Sequence, residues 1–132
     1  MIAWRRTLAG LAVALVVACS GDGTGPVAGT LKVNLTTPNS GQDGAAVVVL
    51  SGPAVPAAVS AGTGLVLWGG PVTTATAKVV VTGTLATGTI LTLQVDDVNK
   101  VSQYSATVQQ VAQSSSPFGL RSLTGYALSV TK

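Results

Sequence analysis

The chain has 132 residues, of which only 8% are charged and 47% are hydrophobic. This composition excludes a disordered chain, because disorder requires few hydrophobic residues and a high net charge. Apart from Arg5 and Arg6, the basic residues are scattered along the sequence, so the basic patch that a nucleic-acid partner would require is missing.

The first 18 residues have the pattern of an export signal. Arg5 and Arg6 precede an apolar run from Leu8 to Ala18, which matches a positive n-region followed by an h-region. As a helix the run would span roughly 16 Å, whereas a bilayer core is about 30 Å thick. We therefore predict a signal peptide over residues 1–18.

The residues Val16-Val17-Ala18-Cys19 resemble the lipobox of bacterial lipoproteins, and the resemblance covers about the first 20 residues. It implies cleavage between Ala18 and Cys19, a diacylglyceryl group on the Cys19 thiol and often a further acyl chain on the new amine. The implied location is the cell envelope, with membrane attachment through these chains. In a two-membrane cell, Ser20 is compatible with transport to the outer membrane. The alternatives are an ordinary signal that leaves a free thiol and an uncleaved anchor.

Residues 19–28 form the predicted lipidated cysteine and a Gly-rich tether, and residues 29–132 form the predicted folded domain. In that domain, short apolar or β-branched runs alternate with clusters of Gly, Pro, Asn and Asp, the pattern of strands and turns. The predicted strands are 31–36, 45–50, 65–68, 75–82, 89–95, 104–108 and 126–130, with 55–60 ambiguous.

This pattern predicts an all-β, immunoglobulin-like, two-sheet antiparallel sandwich of about seven or eight strands. The continuously apolar run from Ala45 to Leu50 predicts a central strand. Outward positions are expected to be mainly Thr, Ser and Gln. The segment Val101–Gln113 fits both a strand and a helix, and weak helix formers such as Ser102 and Thr107 favour the strand.

The stretch from Thr82 to Ala112 resembles part of an immunoglobulin-like or fibronectin-type domain. Tyr104 matches the tyrosine that ties down a corner in such folds. The immunoglobulin cysteines and the spacing of the strand-C tryptophan are absent, so the resemblance concerns architecture. The pattern from Leu31 to Val95 also resembles cohesin-like sandwiches.

The sequence argues against an enzyme, because it contains neither His nor Glu. Without them, Ser-His-Asp and Cys-His catalysis and a structural zinc site are excluded. Asp96 and Asp97 are adjacent at a strand end and start on opposite faces, so they do not form the carboxylate pair of a glycosidase. We predict no catalytic residues and no cofactor.

Two sets of residues remain as candidates for binding. Asp96, Asp97 and Asn99 are weak candidates for calcium ligands, although a loop dense in Asp and Asn is more often a turn, and no metal site is predicted. Trp68 and Phe118 are possible ligand contacts if they are exposed, although the pattern favours Trp68 as a core residue.

These observations lead to a functional hypothesis with two alternatives. The first interpretation is an envelope lipoprotein that presents a non-catalytic β-sandwich for a structural or protein-interaction role, with an envelope protein as partner. The alternative is a carbohydrate-binding or cohesin-like recognition module with a glycan or protein ligand. An enzyme is the third and least favoured interpretation.

Overall fold

The computed structural model describes residues 25–132, so the predicted signal peptide, Cys19 and the first part of the tether lie outside the described residues. The described chain forms a 3-10 helix at Val98–Gln103 and eight strands. The strands are β1 (Gly29–Thr36), β2 (Asp43–Ser51), β3 (Ala58–Ala61), β4 (Val66–Pro71), β5 (Thr76–Leu85), β6 (Gly88–Val95), β7 (Ser105–Gln113) and β8 (Ala127–Thr131).

The strands form two four-stranded antiparallel sheets, which confirms the predicted sandwich. The first sheet has the order β3-β6-β1-β8, and the second has the order β4-β5-β2-β7. The ambiguous stretch 55–60 contributes to β3, and the segment 101–113 divides between the 3-10 helix and β7. The strand interpretation is therefore correct for most of that segment.

The core lies between the sheets and follows the two-residue alternation of the strands. Leu31, Val33 and Leu35 of β1 are at most 2% exposed. The apolar run in β2 is a central strand as predicted, since β5 and β7 pair with its two sides. Its inward side chains are Ala46, Val48 and Leu50, so Val47 and Val49 point to the outer side of the second sheet.

Strand directions give the sandwich two distinct ends. The chain enters at the end where β1 begins, which we call the tether end. There the Val98 N–H donates to the Val27 carbonyl at 2.8 Å. Since neighbouring strands are antiparallel, the segments 37–42 and 114–126 lie at the opposite end, which we call the far end.

Among residues 25–132, no helix has the length and apolar character needed to cross a membrane.

The alternation in β6 provides a matched test of the core. Leu93 is 1% exposed, whereas its neighbour Gln94 faces solvent. We expect Leu93→Ala to lower the free energy of unfolding by about 2–5 kcal/mol, because it leaves a cavity between the sheets. Gln94→Ala should cost less than about 1 kcal/mol. Urea denaturation measures both, and equal losses would contradict the inward assignment of Leu93.

Candidate functional site

The two sheets differ in the chemistry of their outer sides. On the first sheet the outward side chains are polar and bond to one another across the strands. The Asn34 amide donates to Thr131 Oγ1 at 3.0 Å and accepts from the Thr89 hydroxyl at 2.7 Å. This side matches the expected outward pattern of hydroxyl and amide residues.

The outer side of the second sheet departs from that expectation and is largely apolar. The strand register places its side chains in three rows across the sheet. From the far end to the tether end, the rows are Val66-Thr82-Ala45-Ala112, Trp68-Val80-Val47-Gln110 and Gly70-Lys78-Val49-Thr107. We call this surface, together with Leu120 beside Ala112, the apolar face. Lys78 is the only charged residue in the three rows.

Trp68 lies on the apolar face, and the expectation that it belongs to the core is wrong. Its side chain is 60% exposed, whereas its neighbour Leu67 packs against the core. The indole Nε1 donates to Thr82 Oγ1 at 3.3 Å. Because Thr82 belongs to the neighbouring strand and lies one row nearer the far end, the ring leans across β5 and presents its outer surface to solvent.

Phe118 and Leu120 extend the apolar face beyond the edge of β7. Leu120 forms an isolated bridge with Ala112, and the Arg121 N–H donates to the Val111 carbonyl at 2.7 Å. Leu120 is 67% exposed and Phe118 64% exposed. Phe118 has a φ of +57°, a left-handed conformation that costs about 1–2 kcal/mol for a non-glycine residue. The loop therefore presents a large apolar ring to solvent from a strained backbone position.

Two shallow depressions of about 460 Å³ each lie on this outer side. One is at the far end, where Phe118 forms a side wall above Gly44, Ala45, Gly83 and Ala112. The other lies near the middle row and is lined by Val47, Lys78, Val80, Gln109 and Gln110. Gln109 and Gln110 are both exposed there, because the register of β7 against β2 shifts between Val47 and Val48.

A buried carboxylate holds the segment that carries Phe118 and Leu120. Asp43 is 0% exposed and accepts a hydrogen bond from Arg121 Nε at 2.9 Å on one oxygen. Its other oxygen accepts from the hydroxyls of Thr37 and Tyr126, each at 2.9 Å. We call these four side chains the Asp43 clamp. The clamp joins the 37–42 segment to the 114–126 segment at the far end.

Tyr126 fixes a loop at the far end of this domain through its hydrogen bond to Asp43. Tyr104, which the resemblance placed in a corner role, comes just before β7, and its ring packs against Gly52. A Cβ at Gly52 would lie 2.5 Å from that ring, so glycine is required for the contact. Burial raises the pKa of Tyr104 above its usual value, and Asp96 and Asp97 add to the effect.

Two of the weak calcium candidates, Asp97 and Asn99, make hydrogen bonds at the tether end of the fold. The Asp97 carboxylate accepts from the N–H of Asn99 at 3.0 Å and from that of Val27 at 3.3 Å. These bonds lower the pKa of Asp97 below its usual value. Asn99 Oδ1 accepts from Lys132 Nζ at 3.2 Å. In the described part of the chain, no group of three or more His, Cys, Asp or Glu side chains is placed to hold a metal ion.

One spacing associated with serine-lysine catalysis occurs at the end of the chain. Ser129 and Lys132 are three residues apart, a separation that brings side chains together on a helix but not on a strand. Ser129 lies in β8, and Lys132 Nζ bonds to Asn99. The structure therefore does not bring these two residues together as a nucleophile and its base.

Comparisons with protein-family models, curated proteins and solved structures found no match to this chain.

The Asp43 clamp can be tested by removing its charge. We expect Asp43→Asn to lower the free energy of unfolding by about 3 kcal/mol, because it leaves the partly buried Arg121 guanidinium without its counter-charge. Tyr126→Phe, which removes one hydrogen bond to a charged group, should cost about 1.5–3 kcal/mol. Urea denaturation measures both, with Asp96→Asn at an exposed site as the control. A loss from Asp43→Asn no larger than that of the control would contradict the clamp.

Proposed function

We propose that the mature protein is a lipid-anchored, non-catalytic module of the cell envelope that recognises a protein partner through the apolar face. The observation that carries this proposal is the contrast between the two outer sides of the sandwich. One is a hydrogen-bonded polar surface, and the other exposes Trp68, Val66 and Leu120 in a nearly uncharged sheet.

The size and chemistry of the apolar face support protein recognition. Four strands about 4.8 Å apart and three rows about 7 Å apart give a patch of roughly 400 Å². Exposed apolar patches of about 300–600 Å² are often functional on a soluble domain. The centres of protein interfaces are poor in charge and rich in aromatic residues, and tryptophan is prominent among the residues that dominate binding energy. Trp68 occupies such a position in the middle row.

The Asp43 clamp supports the proposal because it makes part of the surface rigid before binding. Arg121 and Tyr126 belong to the same segment as Phe118 and Leu120, and both bond to the buried carboxylate. A binding surface that is already ordered loses less conformational entropy when the partner arrives.

Membrane attachment rests on the lipobox resemblance, and the fold is compatible with it. Five residues lie between Cys19 and Gly25, so the two can be at most about 21 Å apart in extended chain. With the lipid at Cys19, the tether end would face the membrane. The strands would then extend away from the bilayer, and the apolar face would remain accessible from the side.

The anchor is tested by the substitution Cys19→Ala in the full-length protein. We expect acyl labelling to disappear and the protein to leave the membrane fraction, because the thiol that accepts the diacylglyceryl group is gone. Ser20→Ala is the matched control and should keep both properties. Mass spectrometry of the processed protein that finds an unmodified sulfur at residue 19 would contradict the proposal.

The recognition surface is tested by photo-cross-linking in cells from one position on each outer side. A cross-linking amino acid at Val66 should capture a discrete protein partner, whereas one at Thr92 on the first sheet should not. Trp68→Ala should lower the yield from Val66 by about tenfold or more, since it removes the largest exposed side chain. Equal capture from Val66 and Thr92 would contradict a role for the apolar face.

A glycan ligand is the second candidate, because Trp68 is exposed on the same face as the depression lined by Lys78, Gln109 and Gln110. The Trp68 indole can stack on a sugar ring, and the ammonium and amide groups beside it can donate hydrogen bonds to the sugar hydroxyls. Binding of the detergent-solubilised protein to a glycan array, with loss of binding in Trp68→Ala, would favour this candidate over a protein partner.

A further inference from the structure

We propose that the partner of the apolar face is a second copy of this chain, packed face to face about a two-fold axis parallel to the strands. This inference rests on the proposed function, because it names the protein that the recognition surface binds. The resulting interface is isologous, so each contact between two residues occurs twice.

The order of the strands makes the apolar face complementary to itself under this rotation. An axis parallel to the strands places β4 of one copy over β7 of the other, and β5 over β2, with each row opposite the same row. In the far-end row, Val66 then lies over Ala112, and the exposed Leu120 extends past Val66.

The middle row has the same complementarity. Val80 of one copy faces Val47 of the other, and Trp68 lies over the strand that carries Gln109 and Gln110. These two glutamines line a depression of about 460 Å³, which gives the projecting indole a place to pack. A large residue on one edge of the sheet thus meets a concave surface that extends from β5 across β2 to β7 of the other copy. Two sheets that pack in this way lie about 10 Å apart with aligned strands.

Charge and area set the expected strength of the pair. The only charge in the three rows is Lys78, and the axis brings the two Lys78 side chains to the same height near the tether end. Their repulsion opposes association and is screened by salt.

The area of the interface is also small. A patch of roughly 400 Å² on each copy gives about 800 Å² in total, below the 1,200 Å² or so of stable interfaces. We therefore expect a weak dimer that forms where the copies are concentrated on one membrane.

Membrane attachment selects this axis over the other face-to-face arrangement. With the axis parallel to the strands, both tether ends point the same way, and both lipid anchors reach the same bilayer. An axis perpendicular to the strands would place one tether end at the height of the other copy's far end. β1 alone is eight residues long, which is about 27 Å at the usual rise. With the strands upright on the bilayer, that anchor would therefore lie beyond the 21 Å or so that the chain from Cys19 to Gly25 spans.

A double cysteine variant of the full-length lipoprotein tests the arrangement. Val66 and Ala112 lie on opposite edge strands, three strand spacings or about 14 Å apart in one copy, too far for an intrachain disulfide. The proposal predicts that Val66→Cys with Ala112→Cys gives a covalent dimer in membranes with a short bifunctional maleimide, which spans the gap of about 10 Å between facing sheets but not the 14 Å or so within one copy. The matched control is Ser60→Cys with Thr131→Cys, which occupies one row of the first sheet from edge to edge. This control and the unsubstituted chain should give no covalent dimer.

Two further measurements use the fluorescence of Trp68 and the charge of Lys78. Trp68 and Trp4 are the two tryptophans of the chain, so after cleavage the fluorescence reports on Trp68 alone. Its emission should shift to the blue as the protein in detergent is concentrated. Higher salt should strengthen this association, and Lys78→Gln should remove the salt dependence because it removes the repelling charges.

The outcomes separate this inference from the proposed function. A monomeric Val66/Ala112 cysteine variant overturns the face-to-face pair, and so does cross-linking equal to that of the Ser60/Thr131 control. If the photo-cross-linker at Val66 then still captures a different protein, the recognition surface stands and only its partner is wrong. If Val66 captures no protein at all, the proposed function fails with the inference.

Discussion

Alternation of side chains along the strands is the constraint on which the rest of the structure depends. Except at the register shifts of β1, β2 and β7 against their neighbours, alternate residues of each strand point toward the space between the sheets, and the intervening residues must face outward. In the first sheet those outward residues are hydroxyl and amide side chains that bond to one another. In the second sheet the same alternation brings Val47, Val80 and Trp68 to the surface. The core does not need an apolar outer side, and this is the surface on which the proposed recognition depends.

The far end shows how a domain without a disulfide fixes a long loop. Cys19 is the only cysteine, so cross-linking between segments depends on side-chain bonds. Asp43 receives three such bonds from residues that lie at widely separated positions in the sequence. A buried carboxylate is costly unless it is fully paired, and here the pairing spans two loops. The same bonds hold the segment around Leu120 against the edge of β7. There the Gly119 carbonyl and the Arg121 N–H bond to backbone groups of Gln113 and Val111 that could otherwise bind another strand.

The sequence predicts the sandwich well, because alternation and turn residues are local signals. Leu31, Val33 and Leu35 identify the inner side of β1 without any knowledge of its neighbours. Trp68 was misplaced for a physical reason: Leu65-Val66-Leu67-Trp68 is apolar at every position, so the run does not indicate which side faces the core. That choice depends on the position of β4 at the edge of the second sheet, which is a property of the whole topology.

Asp43 illustrates a second limit of sequence-based prediction. It follows a turn-rich segment, where an aspartate ordinarily faces solvent. Its burial depends on Arg121 and Tyr126, which follow it by 78 and 83 residues. Strict alternation in β2 would place Asp43 on the outer side with Ala45 and Val47, and the register shift between Asp43 and Ala45 turns it inward instead. No local pattern identifies which distant residues supply its partners.

The asymmetry of the sandwich also links the two parts of the proposed function. A lipid anchor at the tether end would confine the domain to a surface and fix which end points outward. Confinement raises the effective concentration of any partner on the same membrane, so a patch too small for stable association in solution becomes sufficient there. In the proposed function, a small, nearly uncharged face and an acyl chain would therefore complement each other. The anchor would supply proximity, and Trp68 with its apolar neighbours would supply selectivity for a partner on the same membrane.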